Sequence, residues 1–261
     1  MSVRVEHLDF AFPRMPVLRD IDATAGAGRI TAIIGPNAAG KSTLLRCVIG
    51  ALSPQRGRVM IGDRVMHRIS ARSAAQLVAY VPQRATVSAA FTVRQVVELG
   101  RYALPANASK VDAAIARLDL EDLVERPYSA LSVGQQQRVS LARALAQLSD
   151  DGALVLDEPS SAMDLRHTHD TMQLLRQTAH SGAAVLVAMH DLTLAASVAD
   201  DVWLLNEGSL HSAGSSRNVL QPELLRQVFQ VNFRWVEPPG SLPILTAISN
   251  GAAHDRDDAL E

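Results

Sequence analysis

Residues 35–42 read Gly-Pro-Asn-Ala-Ala-Gly-Lys-Ser: two glycines with four residues between them, then a lysine and a hydroxyl. An apolar run, Arg29–Ile34, leads into this segment, and residues 42–52 read as a helix with Leu44, Leu45, Val48 and Ile49 on one face. A glycine-rich loop between a strand and a helix turns backbone N–H groups and the helix N-terminus toward one point, which favours phosphate oxygens. Lys41 adds a compact ammonium for the β- and γ-oxygens, where an arginine fork is bulkier and differently shaped. Ser42 offers a hydroxyl to Mg²⁺, a hard cation that takes oxygen ligands. Of 25 basic residues, only Lys41 and Lys110 are lysine, so this position holds a residue type the chain otherwise avoids.

A second group follows the apolar run Ala153–Leu156, which ends in Asp157, Glu158 and Pro159. Adjacent carboxylates at the C-terminal end of a strand stand where open α/β sheets bind ligands. Asp157 is expected to hold Mg²⁺, directly or through water. Glu158, pointing to the other side by strand alternation, is expected to polarise an attacking water.

The surrounding pattern supplies the scaffold. Val3, Val5, Leu8, Phe10 and Phe12 alternate as a half-buried strand, and a second strand is expected near Leu18–Ala23. Further strands are expected at Arg58–Gly62, Val78–Val81, Leu154–Leu156, Ala184–Met189 and Val202–Leu205. Helical periodicity dominates from Thr92 to Leu148 and returns at 164–180 and 191–199. The alternation predicts an α/β fold, an open and mostly parallel sheet with helices on it, interrupted by a helical insertion at about 88–150. The segment Asn250–Glu261 is small and charged, and is expected to be a disordered tail.

Composition narrows the function classes. With 25 basic and 27 acidic side chains the net charge is −2, which gives no support to a nucleic-acid surface built on bulk positive charge. One cysteine excludes an intrachain disulfide framework and suits a reducing compartment. The run Ala183–Met189 falls far short of the ~20 residues of a membrane span, and Met1–Glu6 lacks the apolar core of a signal peptide. A soluble cytosolic protein is expected.

A third motif makes a resemblance specific. Leu131-Ser132-Val133-Gly134-Gln135 opens the helical stretch 135–148, between the phosphate loop and the carboxylate pair. The chain resembles the ATP-binding subunits of ABC transporters, whose signature is Leu-Ser-Gly-Gly-Gln. The resemblance extends over residues 1–240 and implies a P-loop NTPase fold of the ABC type. Such a fold has a mostly parallel core sheet, an N-terminal antiparallel β part, a helical subdomain at about 88–150, and a tail at 241–261. It implies ATP and Mg²⁺ as ligands. Nucleotide contacts are implied for Gly35, Pro36, Asn37, Ala38, Ala39, Gly40, Lys41, Ser42 and Thr43. Phe12 stands where the family usually has a tyrosine stacked on adenine, although a core position fits it too.

Gln83 corresponds to the family's Q-loop glutamine, which senses Mg²⁺ and nucleotide; Asp157 and Ser42 share the metal. His190 corresponds to the switch histidine beside the catalytic Glu158. Ser132, Gly134 and Gln135 imply contact with the γ-phosphate held by a second copy, and Ser161–Asp164 resembles the loop that crosses that interface. The implied assembly is therefore a head-to-tail homodimer with two copies of an integral membrane permease, indirectly a substrate-binding protein, and no nucleic acid. Its implied location is the cytoplasmic face of the inner membrane, peripheral through the permease.

Phe91–Arg101, Asp164–His167 and the stretch around Leu224–Phe233 resemble the importer group serving iron–siderophores, haem and cobalamin. Haem or another iron chelate is the expected cargo, with cobalamin or zinc/manganese as alternatives. Two other classes remain open: a P-loop kinase, which has no use for Leu131–Gln135, and a soluble ABC-type ATPase without a transport role. Two positions depart from the family pattern. Ala38 and Val133 stand where glycine is usual, and both tolerate positive φ and close approach less well than glycine. Val133 is expected to slow closure of the ATP sandwich. His167 and His169, spaced i and i+2, suit no helical metal pair and are expected to be solvated. Arg84, Arg94 and Arg101 are expected to be solvated as well, beside a region that could meet another protein.

Overall fold

The computed structural model describes residues 1–84, 87, 90–149, 151–161, 163–236 and 243–248. The tail Asn250–Glu261, Ala162 of the Ser161–Asp164 loop, and positions 88 and 150 at the edges of the helical insertion lie outside the described residues.

The chain opens with β1 (Val3–Phe12) and β2 (Met15–Ala25), an antiparallel pair, then β3 (Ile30–Ile34) and α1 (Lys41–Val48). Next come β4 (Arg56–Ile61), β5 (Arg64–Val65), α2 (Ala71–Leu77) and β6 (Val78–Val81). The helical insertion consists of α3 (Val93–Glu98), α4 (Ala108–Arg117) and α5 (Val133–Gln147). The α/β pattern resumes with β7 (Ala153–Asp157), α6 (Leu165–His180), β8 (Ala184–Ala188), α7 (Leu192–Val198), β9 (Asp201–Asn206) and β10 (Ser209–Ser215). The described chain closes with α8 (Ser216–Val219), α9 (Pro222–Phe229), β11 (Asn232–Val236) and β12 (Ile244–Ile248).

The core sheet has the order β10-β9-β3-β8-β7-β6, parallel except for the β9–β10 hairpin. Every residue of β3, β7 and β8 is buried, the pattern of strands covered on both faces. Strand alternation divides those residues between two layers. Ile30, Ala32, Ile34, Leu154, Leu156, Val185 and Val187 join the cluster that includes the helical insertion, Leu175 of α6 and Ala195 of α7. Ile33, Val155, Leu186 and Ala188 face the other way, joining Leu44, Leu45 and Val48 of α1 and the four-stranded antiparallel sheet β2-β1-β4-β5. The fold is therefore the expected α/β one.

Several boundaries differ from the sequence reading. The helix expected at 42–52 ends at Val48, where Ile49 caps it. The domain edge expected at 240 gives way to further structure: β12 pairs antiparallel with β11, and Leu245 is buried in the core. The strand β10, with sequence Ser-Leu-His-Ser-Ala-Gly-Ser, has weak β propensity and exists because β9 supplies its hydrogen bonds.

In the helical insertion, α3 is started by a capping box in which Thr92 and Gln95 exchange side-chain-to-backbone hydrogen bonds. Just beyond it, Gly100 lies so close to α5 that a Cβ there would stand 2.2 Å from the Arg143 carbonyl oxygen. Gly100→Ala is thus expected to force the two segments apart and cost about 1–3 kcal/mol in urea unfolding. Unchanged stability would mean that the α3–α5 contact has slack.

Candidate functional site

At the end of β3 the chain must turn sharply into α1. Gly35 takes φ 151°, and a Cβ there would stand 2.2 Å from the Leu205 carbonyl oxygen, so only glycine fits. Gly40, at φ 101°, is the N-cap of α1 and has no side chain to cap it; the first turn also carries no acidic residue. The N–H groups opening the helix are left for an external anion. The loop curls around Lys41, whose Nζ donates to the carbonyls of Gly35 at 2.7 Å and Pro36 at 3.0 Å. Burial lowers the pKa of this ammonium, and the charges of Glu158 and Asp157 act in the opposite direction. Ala38 holds φ 63°, so the departure from glycine falls on a residue in the left-handed region.

Opposite the loop stands the end of β7. Asp157 is only 3% exposed, and one of its oxygens accepts a hydrogen bond from Ser42 Oγ at 3.1 Å. Burial raises its pKa despite that hydrogen bond and the nearby Arg46 and Lys41 charges. Glu158 lies beyond the strand at φ 50°, so its direction is set by this turn rather than by strand alternation. Its N–H donates to the Ala188 carbonyl at 3.1 Å, and its side chain is 18% exposed. Gln83 Nε2 donates to Glu158 Oε2 at 2.7 Å, and His190 Nδ1 stands 3.7 Å from the same oxygen. Two neighbouring carboxylates thus have different settings. Asp157 is buried against Ser42; Glu158 is reachable and held between Gln83 and His190.

A cleft of about 580 Å³ lies against these groups, lined by Asn37 to Thr43, Gln83, Glu158 and Phe12. Phe12 also packs edge-on against Phe10, with ring centroids 5.0 Å apart, so it serves both the core and the cleft. The sequence reading missed Met15, Pro16, Val17, Glu207 and Gly208, which line the cleft from the start of β2 and from the β9–β10 turn. The Glu207-Gly208 turn pair was a readable signal; its position beside the loop was not.

Six of the expected nucleotide residues do not line this cleft: Gly35 and Pro36 at the start of the loop, and Ser132, Gly134, Gln135 and Asp164 elsewhere in the fold. Ser132 caps α5: its Oγ accepts from the Gln135 N–H at 3.3 Å, and the Gln135 side chain accepts from the Ser132 N–H at 3.0 Å. Gly134 lies in the first turn of that helix. Asp164 caps α6, accepting from the N–H of His167 at 2.9 Å and pairing with its Nδ1 at 2.8 Å. Those hydrogen bonds hold its carboxyl below the usual range. His167, its side chain 31% exposed, is therefore a capping partner that still meets solvent. Val133 needs correcting as well: it is the first residue of α5, in helical conformation, so a positive φ imposes no strain there. What distinguishes it is a side chain on a residue 68% exposed. Arg94 and Arg101 tie the helical insertion together, Arg94 to Asp112 at 2.8 Å and Arg101 to the Ala146 carbonyl at 3.1 Å.

Among the described residues no group of three or more His, Cys, Asp or Glu could hold a metal. The oxygen donors of Ser42, Asp157 and Gln83 suit a hard cation whose other ligands come from phosphate and water, the usual arrangement for Mg²⁺.

The ABC transporter family profile matches residues 18–161. The chain is 42% identical to a hemin import ATP-binding protein of Pseudomonas entomophila, over 87% of this chain and 92% of that one. It is 39% identical to a cobalamin import ATP-binding protein of Halobacterium salinarum over 88% of this chain, but spans only 59% of the length of that relative. Among solved structures, a metal-chelate type ABC transporter in an inward-facing conformation aligns with TM-score 0.80 and 26% identity, covering 95% of this chain and 98% of that one. An ATP-binding cassette dimer bound to ADP and phosphate shares the fold, with TM-score 0.74 and 22% identity over 82% of this chain and 99% of that one.

The Asp157 environment gives a pH-dependent expectation. Its folded carboxyl titrates above its unfolded value, so its contribution to stability is full below the unfolded pKa and is lost as pH rises through the folded one. Without nucleotide or metal, Asp157→Asn is expected to melt above the parent at neutral pH, the gap closing toward about pH 4 as the parent protonates. Thermal scans across pH check this; a parent more stable than the variant at neutral pH contradicts burial as the dominant influence.

Proposed function

The chain belongs to the ABC transporter family of ATPases, and from that premise we propose that it energises import of haem or another iron chelate through a separate membrane permease. The observation that carries the reading is the convergence of Lys41, Ser42, Gln83 and Glu158 on one cleft, with Asp157 bound to Ser42 and His190 3.7 Å from Glu158. The cargo rests on the names of the relatives, hemin and cobalamin import proteins. Cobalamin is the second reading, favoured by the 39% identity to the Halobacterium protein. Among the described residues no helix is long and apolar enough to cross a membrane, so transport requires a partner that does. The location that follows is the cytoplasmic face of the inner membrane, against that permease.

In the mechanism, the N–H groups of the loop and of α1 receive the phosphates of ATP. Lys41 exchanges its Gly35 and Pro36 carbonyl acceptors for β- and γ-oxygens. Ser42, Asp157 and Gln83 would hold Mg²⁺, which neutralises charge on those oxygens. Glu158 accepts a proton from the water that attacks the γ-phosphorus; the bond to the β-phosphate oxygen breaks, leaving ADP and phosphate. Gln83 holds Glu158 Oε2 in place, and His190 approaches the same oxygen from the opposite loop. Little covalent chemistry is asked of the protein, so positioning and charge carry the rate. Ser132, Gly134, Gln135 and Asp164 complete the site from a second copy, arranged head to tail. ATP closes that dimer, hydrolysis opens it, and two permease subunits read the cycle.

Glu158→Gln is expected to keep ATP binding, lower turnover at least about 100-fold and accumulate an ATP-bound dimer, measured by phosphate release and light scattering. Rapid hydrolysis by that variant removes Glu158 from its role. In vesicles carrying the permease, ATP should drive uptake of haem and not of cobalamin; the opposite preference selects the second reading. Val133→Gly is expected to raise ATPase turnover of the assembled transporter by removing a side chain from the closing face, and an unchanged rate overturns that effect.

A further inference from the structure

The C-terminal hairpin has no part in the mechanism above. Its strands β11 and β12 form a sheet of their own, so among the described residues one edge of β12 has no strand partner. Leu245 of β12 is 1% exposed and shares a cluster with Ala195 and Val198 of α7 and with Leu225 and Val228 of α9. From α7, Thr193 Oγ1 donates to the Leu245 carbonyl at 2.7 Å, a hydrogen bond between residues 52 positions apart. The other strand is anchored separately: Trp235 Nε1 donates to the Leu220 carbonyl at 3.2 Å, and Phe233 meets Phe229 edge-on at 6.1 Å. The hairpin is thus fixed to the domain on one side and to α7 on the other.

The helix it holds needs holding. α7 has seven residues, two turns, and a helix of that length is not stable by itself. Its place is set by the Asp191 cap, which accepts the Leu194 N–H at 2.9 Å, by the apolar contacts of Ala195 and Val198, and by the Thr193 bond. His190 immediately precedes the cap. The backbone is fixed as far as Met189, whose N–H donates to the Ile33 carbonyl at 3.0 Å. Beyond it, the His190 side chain is 59% exposed, so the turn into α7 sets where the imidazole stands, 3.7 Å from Glu158 Oε2.

We propose that Thr193, through its bond to the Leu245 carbonyl, is a positioning residue for ATP hydrolysis. The hairpin steadies the first turn of α7, and that turn holds His190 opposite Glu158. The proposal rests on the roles given to Glu158 and His190 above. It extends the machinery of the cleft to a segment some 50 residues further along the chain.

The test compares steady-state ATP hydrolysis by the full chain with Thr193→Val, Thr193→Ser, His190→Ala and the Thr193→Val/His190→Ala double variant. Thr193→Val keeps the shape and loses the donor; kcat is expected to fall about three- to tenfold with KM for ATP within about twofold. Thr193→Ser should restore the rate, and Thr193→Val should add nothing to the defect of His190→Ala. Full activity of Thr193→Val beside an impaired His190→Ala overturns the proposal alone. A further loss of the same size in the double variant overturns the route through His190. Full activity of His190→Ala overturns both the role of that residue and the proposal built on it.

Discussion

A carboxylate buried to 3% exposure and met by a single hydroxyl is the constraint around which the molecule is arranged. Desolvating an ionised carboxylate is costly, and one neutral hydrogen bond offsets only part of that cost. The fold accepts it because β7 runs beside β8, β8 beside β3, and α1 crosses the sheet above them, bringing Ser42 within reach of Asp157 across 115 positions of sequence. The strands that deliver Asp157 are buried on both faces, leaving no slack for the carboxylate to retreat into solvent. Its incomplete compensation fits the proposed reading, in which a hard cation is held there jointly with phosphate oxygens.

The same economy of charge explains the lysine. Lys41 points into a loop whose own carbonyls, Gly35 and Pro36, take two of its hydrogen bonds. An ammonium is compact enough to be cupped in this way and released to phosphate; a planar guanidinium is not. Lys110 shows no such demand: its Nζ reaches the Leu148 carbonyl at 3.4 Å, a tie between α4 and the end of α5. Ser132 and Asp164 follow another logic. Each spends its side chain on capping its own helix, so both side chains are held in place before any partner arrives.

The central strands and the cleft were legible in the sequence because their signals are local. Ile30–Ile34, Ala153–Leu156 and Ala184–Ala188 are short runs, apolar but for Thr31, of the kind strands covered on both faces show, and the glycine–lysine–serine spacing defines its own loop. What escaped depends on contacts distant in sequence. β10 is a strand by virtue of β9, and Leu245 is a core residue by virtue of α7 and α9. Met15 and Glu207 reach the cleft only because two hairpin turns end beside the phosphate loop. The strain expected at Val133 was a different error: it assumed a loop conformation where the capping box of Ser132 and Gln135 has already begun a helix. The same assumption at Ala38 was correct, because that residue precedes its helix.

Of the eight described non-glycine residues with positive φ, three line the cleft: Ala38, Glu158 and Glu207, at 63°, 50° and 47°. Each such residue costs of order 1–3 kcal/mol and persists only where its surroundings leave no alternative. For Glu158 those surroundings can be named: its N–H is bound to the Ala188 carbonyl, and its carboxylate to Gln83. Relaxing the turn would break the first bond and swing the carboxylate away from the second. The direction of the Glu158 side chain is therefore fixed by the backbone and by β8, more firmly than a choice of rotamer could fix it. The general-base role proposed for Glu158 calls for that kind of rigidity, because reorientation during the reaction would add to the barrier.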